Sequence, residues 1–110
     1  MTTQLSLTDI STLRESANNA CSLLKVLANE DRLLILCQLT QGEKNVGEIE
    51  ELVNIAQPSL SQQLTVLRQE GIVNTRRKGK YIYYSLASFE IIQIMQTMSK
   101  LYCGKLIVEK

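Results

Sequence analysis

The stretch Gln57-Pro58-Ser59-Leu60-Ser61-Gln62-Gln63-Leu64-Thr65-Val66-Leu67-Arg68-Gln69-Glu70-Gly71 decides the fold. Pro58 has a ring-fixed φ and no amide hydrogen, which suits the first residue of a helix and pushes Gln57, the residue before it, out of helical geometry. From there Leu60, Leu64 and Leu67 recur at spacings of four and three and form one inward stripe. Ser59, Gln62, Thr65 and Gln69 then point away, with Ser61 and Gln63 on the flanks, and Gly71 ends the helix.

The neighbouring segments complete a recognisable set. Upstream, Val46, Ile49, Leu52 and Val53 mark a short helix, broken over Asn54 to Gln57. Downstream, Val73 to Arg77 and Tyr81 to Leu86 read as two strands joined by Lys78, Gly79 and Lys80, a basic hairpin with glycine where a positive φ is needed. Farther out, Thr8 precedes an amphipathic helix from about Asp9 to Val26, whose stripe of Ile10, Leu13, Ala17, Ala20, Cys21, Leu24 and Leu27 is close to a heptad repeat. Asn29 can cap a second helix with Glu30 and Asp31 in its first turn, and Arg32 to Leu39 is apolar enough to be central. A last helix, about Ser88 to Tyr102, carries a broad apolar face of Ile91, Ile94, Met95, Met98, Leu101 and Tyr102. The expected fold is mainly α with a β-hairpin wing, a winged helix-turn-helix of five helices and two strands. It forms a single domain over residues 1–110, with residues 1–8 and 104–110 flexible.

Composition narrows the function. A chain of 110 residues with 45% hydrophobic and 21% charged side chains is sized for one globular core. No stretch is long enough to cross a bilayer and the N-terminus lacks a signal-peptide pattern, so a cytoplasmic protein is expected. The sequence has no histidine, which removes most zinc, iron and haem sites and every Ser-His-Asp or Cys-His catalytic arrangement. No metal and no cofactor is expected, and an enzyme is not. Three cysteines, Cys21, Cys37 and Cys103, are too few and too scattered for a disulfide framework. The net charge of +1 conceals an asymmetry: residues 1–67 hold four basic and eight acidic side chains, whereas residues 68–110 hold eight and three. The densest positive run, Arg76, Arg77, Lys78 and Lys80, falls on the hairpin.

Two short helices around a tight break, followed by a basic hairpin, suit DNA. The second helix enters the major groove, glutamine pairs in a bidentate manner with adenine, serine bonds bases or phosphate, and the hairpin's cations neutralise phosphates or enter the minor groove. The same residues also make sense as a solvated helix face and a solvated strand edge.

With these residues in view, the sequence resembles the ArsR/SmtB winged-helix repressors. The resemblance runs through Leu27-Ala28-Asn29-Glu30-Asp31-Arg32-Leu33, Gln57 to Leu64, and Gly71-Ile72-Val73 to Tyr84-Ser85-Leu86, and spans about residues 17–103. It implies a homodimer joined through the first and last helices, bound to a palindromic double-stranded operator and released by an inducer. On that resemblance Gln57, Ser59, Ser61, Gln62 and Gln63 face the operator, and Arg77, Lys78 and Lys80 belong to the wing. Many members carry histidine where Gln63 stands, which implies a different base preference.

Metal-sensing members use a Cys-x-Cys pair near the third helix or a histidine-containing set on the last. This chain has Asn45-Val46-Gly47-Glu48 in the first place and no histidine for the second. Cys37 and Cys103, 66 residues apart, are similar instead to the dithiol, persulfide-responsive branch of the BigR and SqrR type. That similarity implies a Cys37/Cys103 switch, closed by a sulfur-bridged link within one subunit, that derepresses sulfide-detoxification genes. Other readings stay open. Cys37 among Leu34, Leu36 and Leu39 also suits a plain core position, and Cys21 suits packing. Three thiolates could bind As(III) or Sb(III), a general redox signal could act on the same thiols, and a regulator without a ligand needs no reactive cysteine.

Overall fold

The computed structural model describes residues 7–102, and the flexible tails expected at residues 1–6 and 104–110 lie outside it, as does Cys103. The elements in order are α1 (Leu7–Leu27), α2 (Glu30–Leu39), β1 (Lys44–Asn45), α3 (Val46–Val53), α4 (Gln57–Gln69), β2 (Val73–Lys78), β3 (Tyr81–Leu86) and α5 (Phe89–Tyr102). Residues 7 and 8, expected to be flexible, are helical: α1 starts ahead of Asp9 and extends the amphipathic helix by a partial turn.

Caps explain several boundaries. Asn29 has extended backbone angles and its side chain accepts a 3.0 Å hydrogen bond from the Arg32 amide, which starts α2. Asn45 and Glu48 form a reciprocal capping box at α3, with both bonds at 2.9 Å. Asn54 closes α3 in the left-handed conformation, which asparagine tolerates better than most residues. One boundary differs from the expectation. Gln57 is not excluded from α4 but is its first residue, with Ala56 extended ahead of it. Proline disfavours helical geometry in its predecessor without forbidding it, and the first-turn position of Pro58 requires no amide donor.

α4 ends in a Schellman motif. Gly71 adopts φ +74°, its amide bonds the Arg68 carbonyl at 3.1 Å, and the Ile72 amide bonds the Leu67 carbonyl at 2.9 Å. Leu67 and Ile72 are both buried, the apolar contact that accompanies this motif. The hairpin turn is tighter than expected. β2 continues to Lys78, which pairs with Tyr81, leaving only Gly79 and Lys80 in the turn. Gly79 at φ +64° supplies the positive φ that a two-residue hairpin demands at its first position. β1, a strand that sequence periodicity did not reveal, adds to the outer side of β3, so the sheet order is β1-β3-β2.

The core is formed where α2, α3, α4 and α5 meet the base of the sheet. It is built from Ile35, Leu36 and Leu39 of α2, Ile49 and Val53 of α3, Leu60, Leu64 and Leu67 of α4, and Val73, Ile91 and Met95 beyond them. α1 joins it only at its C-terminal end, through Leu27 and the half-buried Leu23 and Val26. The rest of its stripe is uncovered: Ile10 is 50%, Leu13 49% and Leu24 56% exposed. The radius of gyration of 16.2 Å exceeds the roughly 13 Å of a compact chain of about 100 residues, as a projecting α1 requires. Among the described residues, no helix is long and apolar enough to cross a membrane.

Candidate nucleic-acid interface and cysteine cleft

The α3–turn–α4 unit presents α4 to solvent because its leucines take up the inner face. Gln57, Ser59, Ser61 and Gln62 are all exposed. Two of them are already tied together, since the Ser61 hydroxyl donates to Gln57 Oε1 at 3.0 Å and Gln57 Nε2 donates to Glu50 Oε1 at 3.1 Å. A carboxylate of α3 thereby sets the orientation of the first amide of α4. Among the described residues, Ser59 and Gln62 make no side-chain hydrogen bond, so both are free for a partner.

Gln63 is placed differently from the other four. It is half-buried, and its Oε1 accepts a 2.9 Å bond from Arg32 Nη1, while Arg32 Nε donates to the Val26 carbonyl. One guanidinium thus joins the end of α1, the start of α2 and the middle of α4. The Gln63 carbonyl oxygen is engaged inside the protein, and its amide NH2 is the part left to donate outward.

The hairpin sorts its cations by register. Arg76 pairs with Tyr83, and Arg77 with Ile82, so they lie on opposite faces of the ribbon. Arg76 is held in place by Glu43, with Nε and Nη2 at 2.8 and 2.7 Å from its two carboxylate oxygens, and sits 5.4 Å from the Tyr83 ring centre. The hydrogen bond from Arg76 holds the Glu43 carboxyl below its ordinary range and raises the guanidinium above its own. Of the basic run, Arg76 is therefore a strut between the hairpin and the segment before β1. Arg77, Lys78 and Lys80 project from the exposed tip, with Lys80 Nζ 5.6 Å from the Tyr81 ring centre. Sequence reasoning missed Glu50, Arg32 and Glu43 as partners. Each acts over a separation of 7 to 33 residues, where periodicity carries no signal.

Cys37 occupies a second location. It is half-buried on α2, and its Sγ lies 3.4 Å from Ser99 Oγ of α5. It also lines a cleft of about 180 Å³ between α2 and α5, together with Glu30, Leu33, Leu34, Met95, Met98 and Tyr102. Tyr102 directly precedes Cys103, which lies outside the described residues. Cys21 lines a different groove, along α1. Among the described residues, no three His, Cys, Asp or Glu side chains group as a metal site.

Residues 29–75, from the α2 cap into β2, match the family model for bacterial regulatory proteins of the arsR family. The chain is 42% identical over 93 residues to the biofilm growth-associated repressor of Xylella fastidiosa, covering 84% of this chain and 82% of that protein. The crystal structure of the transcriptional repressor BigR from Xylella fastidiosa matches with a TM-score of 0.80 at 41% identity, over 86% of this chain and 94% of that one. The structure of reduced HlyU from Vibrio cholerae matches with a TM-score of 0.80 at 39% identity, over 84% and 97%.

Proposed function

The chain belongs to the arsR family of bacterial regulatory proteins, and on that footing we propose that it is a cytoplasmic, homodimeric repressor that leaves its operator when Cys37 and Cys103 react with a persulfide. Relatives named as repressors support the regulatory reading. α4 reads the major groove through Gln57, Ser59, Ser61 and Gln62, and the tip cations Arg77, Lys78 and Lys80 hold the phosphate backbone. Dimerisation covers the bare stripe of α1 and the exposed Leu101 and Tyr102 of α5. It sets two copies of α4 roughly 34 Å apart, the spacing of successive major grooves on one DNA face.

The observation that carries the sensing function is the cleft: Cys37 opens into it and Tyr102, one residue from Cys103, forms its wall. One solved relative is described as a reduced form, which fits redox chemistry in that protein. The chemistry balances without a metal. The Cys37 thiolate attacks the outer sulfur of an organic persulfide, the S–S bond breaks, the organic thiol leaves, and Cys37 keeps the sulfur as its own persulfide. Cys103 reacts likewise with a second molecule. The terminal sulfur of the Cys103 persulfide then attacks Cys37 Sγ and expels hydrogen sulfide, leaving a bridge with one added sulfur. That sulfur adds roughly 2 Å of reach beyond a disulfide, whose Cα atoms must lie within about 7 Å. A three-thiolate As(III) site is less well supported, since one copy places Cys21 and Cys37 in separate clefts.

Treatment of reduced protein with glutathione persulfide, peroxide or As(III), followed by peptide mass spectrometry and operator anisotropy, tests this reading. The expected product is a Cys37–Cys103 link with extra sulfur, formed with persulfide and accompanied by DNA release. Unmodified Cys37 with unchanged DNA affinity overturns it. A second expectation concerns recognition. Gln62→Ala removes an unengaged amide, so it should reduce the preference for operator over unrelated DNA by about 1–3 kcal/mol while leaving non-specific affinity unchanged. Competition anisotropy with both DNAs reads this difference.

A further inference from the structure

We infer that Ser99 is a positioning residue for the reactive thiol, its hydroxyl serving as the hydrogen-bond donor that holds the Cys37 sulfur as an oriented thiolate. The inference rests on the reading of Cys37 as the sensing nucleophile and extends it to a residue on another helix.

Ser99 is 1% exposed and is the buried polar side chain of the core among the described residues. Apolar packing does not account for it. Alanine would fill nearly the same space, favour the helix more strongly, and avoid burying a hydroxyl, which costs about 1–3 kcal/mol when it has no partner. The partner it has is Cys37 Sγ at 3.4 Å. A thiol is a weak donor and a weak acceptor, so this pair is poorly matched while the sulfur carries its proton. Once the proton leaves, the sulfur can only accept, Ser99 can only be the donor, and the bond becomes charge-assisted.

Among the described residues, no cation lines the cleft around the sulfur. The titratable side chains lining the cleft with Cys37 are Glu30 and Tyr102, neither of them a cation, and Leu33, Leu34, Met95 and Met98 complete it. Cys37 lies in the last turn of α2, where the helix dipole opposes negative charge. Ser99 therefore supplies the local stabilisation of the thiolate, and it does so from α5, the helix that leads to Cys103.

The test uses full-length protein carrying Cys21→Ser and Cys103→Ser, so that Cys37 is the sole thiol. Its alkylation by iodoacetamide, which forms an S–C bond and releases iodide, is followed by mass spectrometry across pH. Adding Ser99→Ala is expected to slow alkylation at neutral pH by about tenfold, the loss of one charge-assisted hydrogen bond. The rate profile should move to higher pH with its plateau unchanged, and Ser99→Thr should restore the parent profile. A merely structural role would lower the rate by one factor at every pH, plateau included. That result, a superimposed Ser99→Ala profile, or a threonine variant that behaves like alanine overturns the inference. Failure of the wider reading is distinct: persulfide would then leave operator binding intact, whatever Ser99→Ala does to alkylation.

Discussion

Replacing Arg77, Lys78 and Lys80 together by alanine is expected to weaken binding to any duplex by at least about a hundredfold near physiological salt, because a dimer of the kind proposed would lose six cations from its wing tips. The physical cause is counterion release. Each neutralised phosphate contributes about 0.9 to the slope of log affinity against log salt, so the slope should become shallower by up to about five if all six engage the backbone. Operator and unrelated sequence should suffer alike, since phosphates carry no sequence information. Arg76→Ala is the informative contrast. Its guanidinium is already engaged by both oxygens of Glu43 and stacked near Tyr83, so it has little charge to give to DNA. Affinity should change by less than about threefold, since the guanidinium would have to leave both carboxylate oxygens to reach a phosphate. Anisotropy titrations between low and moderate salt measure both affinity and slope. A triple variant with wild-type slope would show that the hairpin does not touch DNA.

The contrast also shows where sequence was sufficient and where it was not. Signals that act over a few residues were legible: the leucine stripe of α4, the stop at Gly71, the cap at Asn29 and the glycine of the hairpin all appear in the structure. Each is a local steric or hydrogen-bonding preference, and so each is written in adjacent residues. The apolar stripe of α1 was equally legible, yet one copy of the chain leaves most of it bare, and its periodicity therefore describes a surface rather than a core. β1 was invisible because two residues have no period, and Lys44 and Asn45 join β3 only by meeting Tyr84 and Tyr83 across the fold. The candidate site divides in the same way. Exposed Ser59 and Gln62 follow from helical geometry, whereas the diversion of Gln63 to Arg32, of Arg76 to Glu43 and of Cys37 to Ser99 depends on long-range proximity. Arg76 and Arg77 are adjacent and chemically identical, and only strand register separates the strut from the free cation.

Cys37→Ser is expected to abolish the persulfide response while leaving operator affinity within about twofold of wild type. Serine is nearly isosteric, the position is half-buried rather than sealed, and the side chains of α4 and the hairpin proposed to face DNA lie on other elements. A substitution at the edge of the core typically costs about 0.5–3 kcal/mol, against a domain stability of about 5–15 kcal/mol, too little to unfold the domain. The response is lost because a hydroxyl at neutral pH does not attack sulfane sulfur, so neither the Cys37 persulfide nor the bridge can form. In wild-type protein, closing the bridge should lower operator affinity by about 5–150-fold, the usual range of coupling between two sites. That coupling has a material path. α2, which carries Cys37, also carries Arg32, whose guanidinium bonds the Val26 carbonyl of α1 and Gln63 of α4. A displacement of α2 as its sulfur is drawn toward the end of α5 therefore bears directly on α4, the proposed recognition helix, and on α1, the proposed dimer helix. Cys21→Ser, on the separate α1 groove, should respond to persulfide like wild type. Operator release by the Cys37→Ser protein at wild-type persulfide concentrations would mean that the signal enters elsewhere, and Cys21 would be the next thiol to replace.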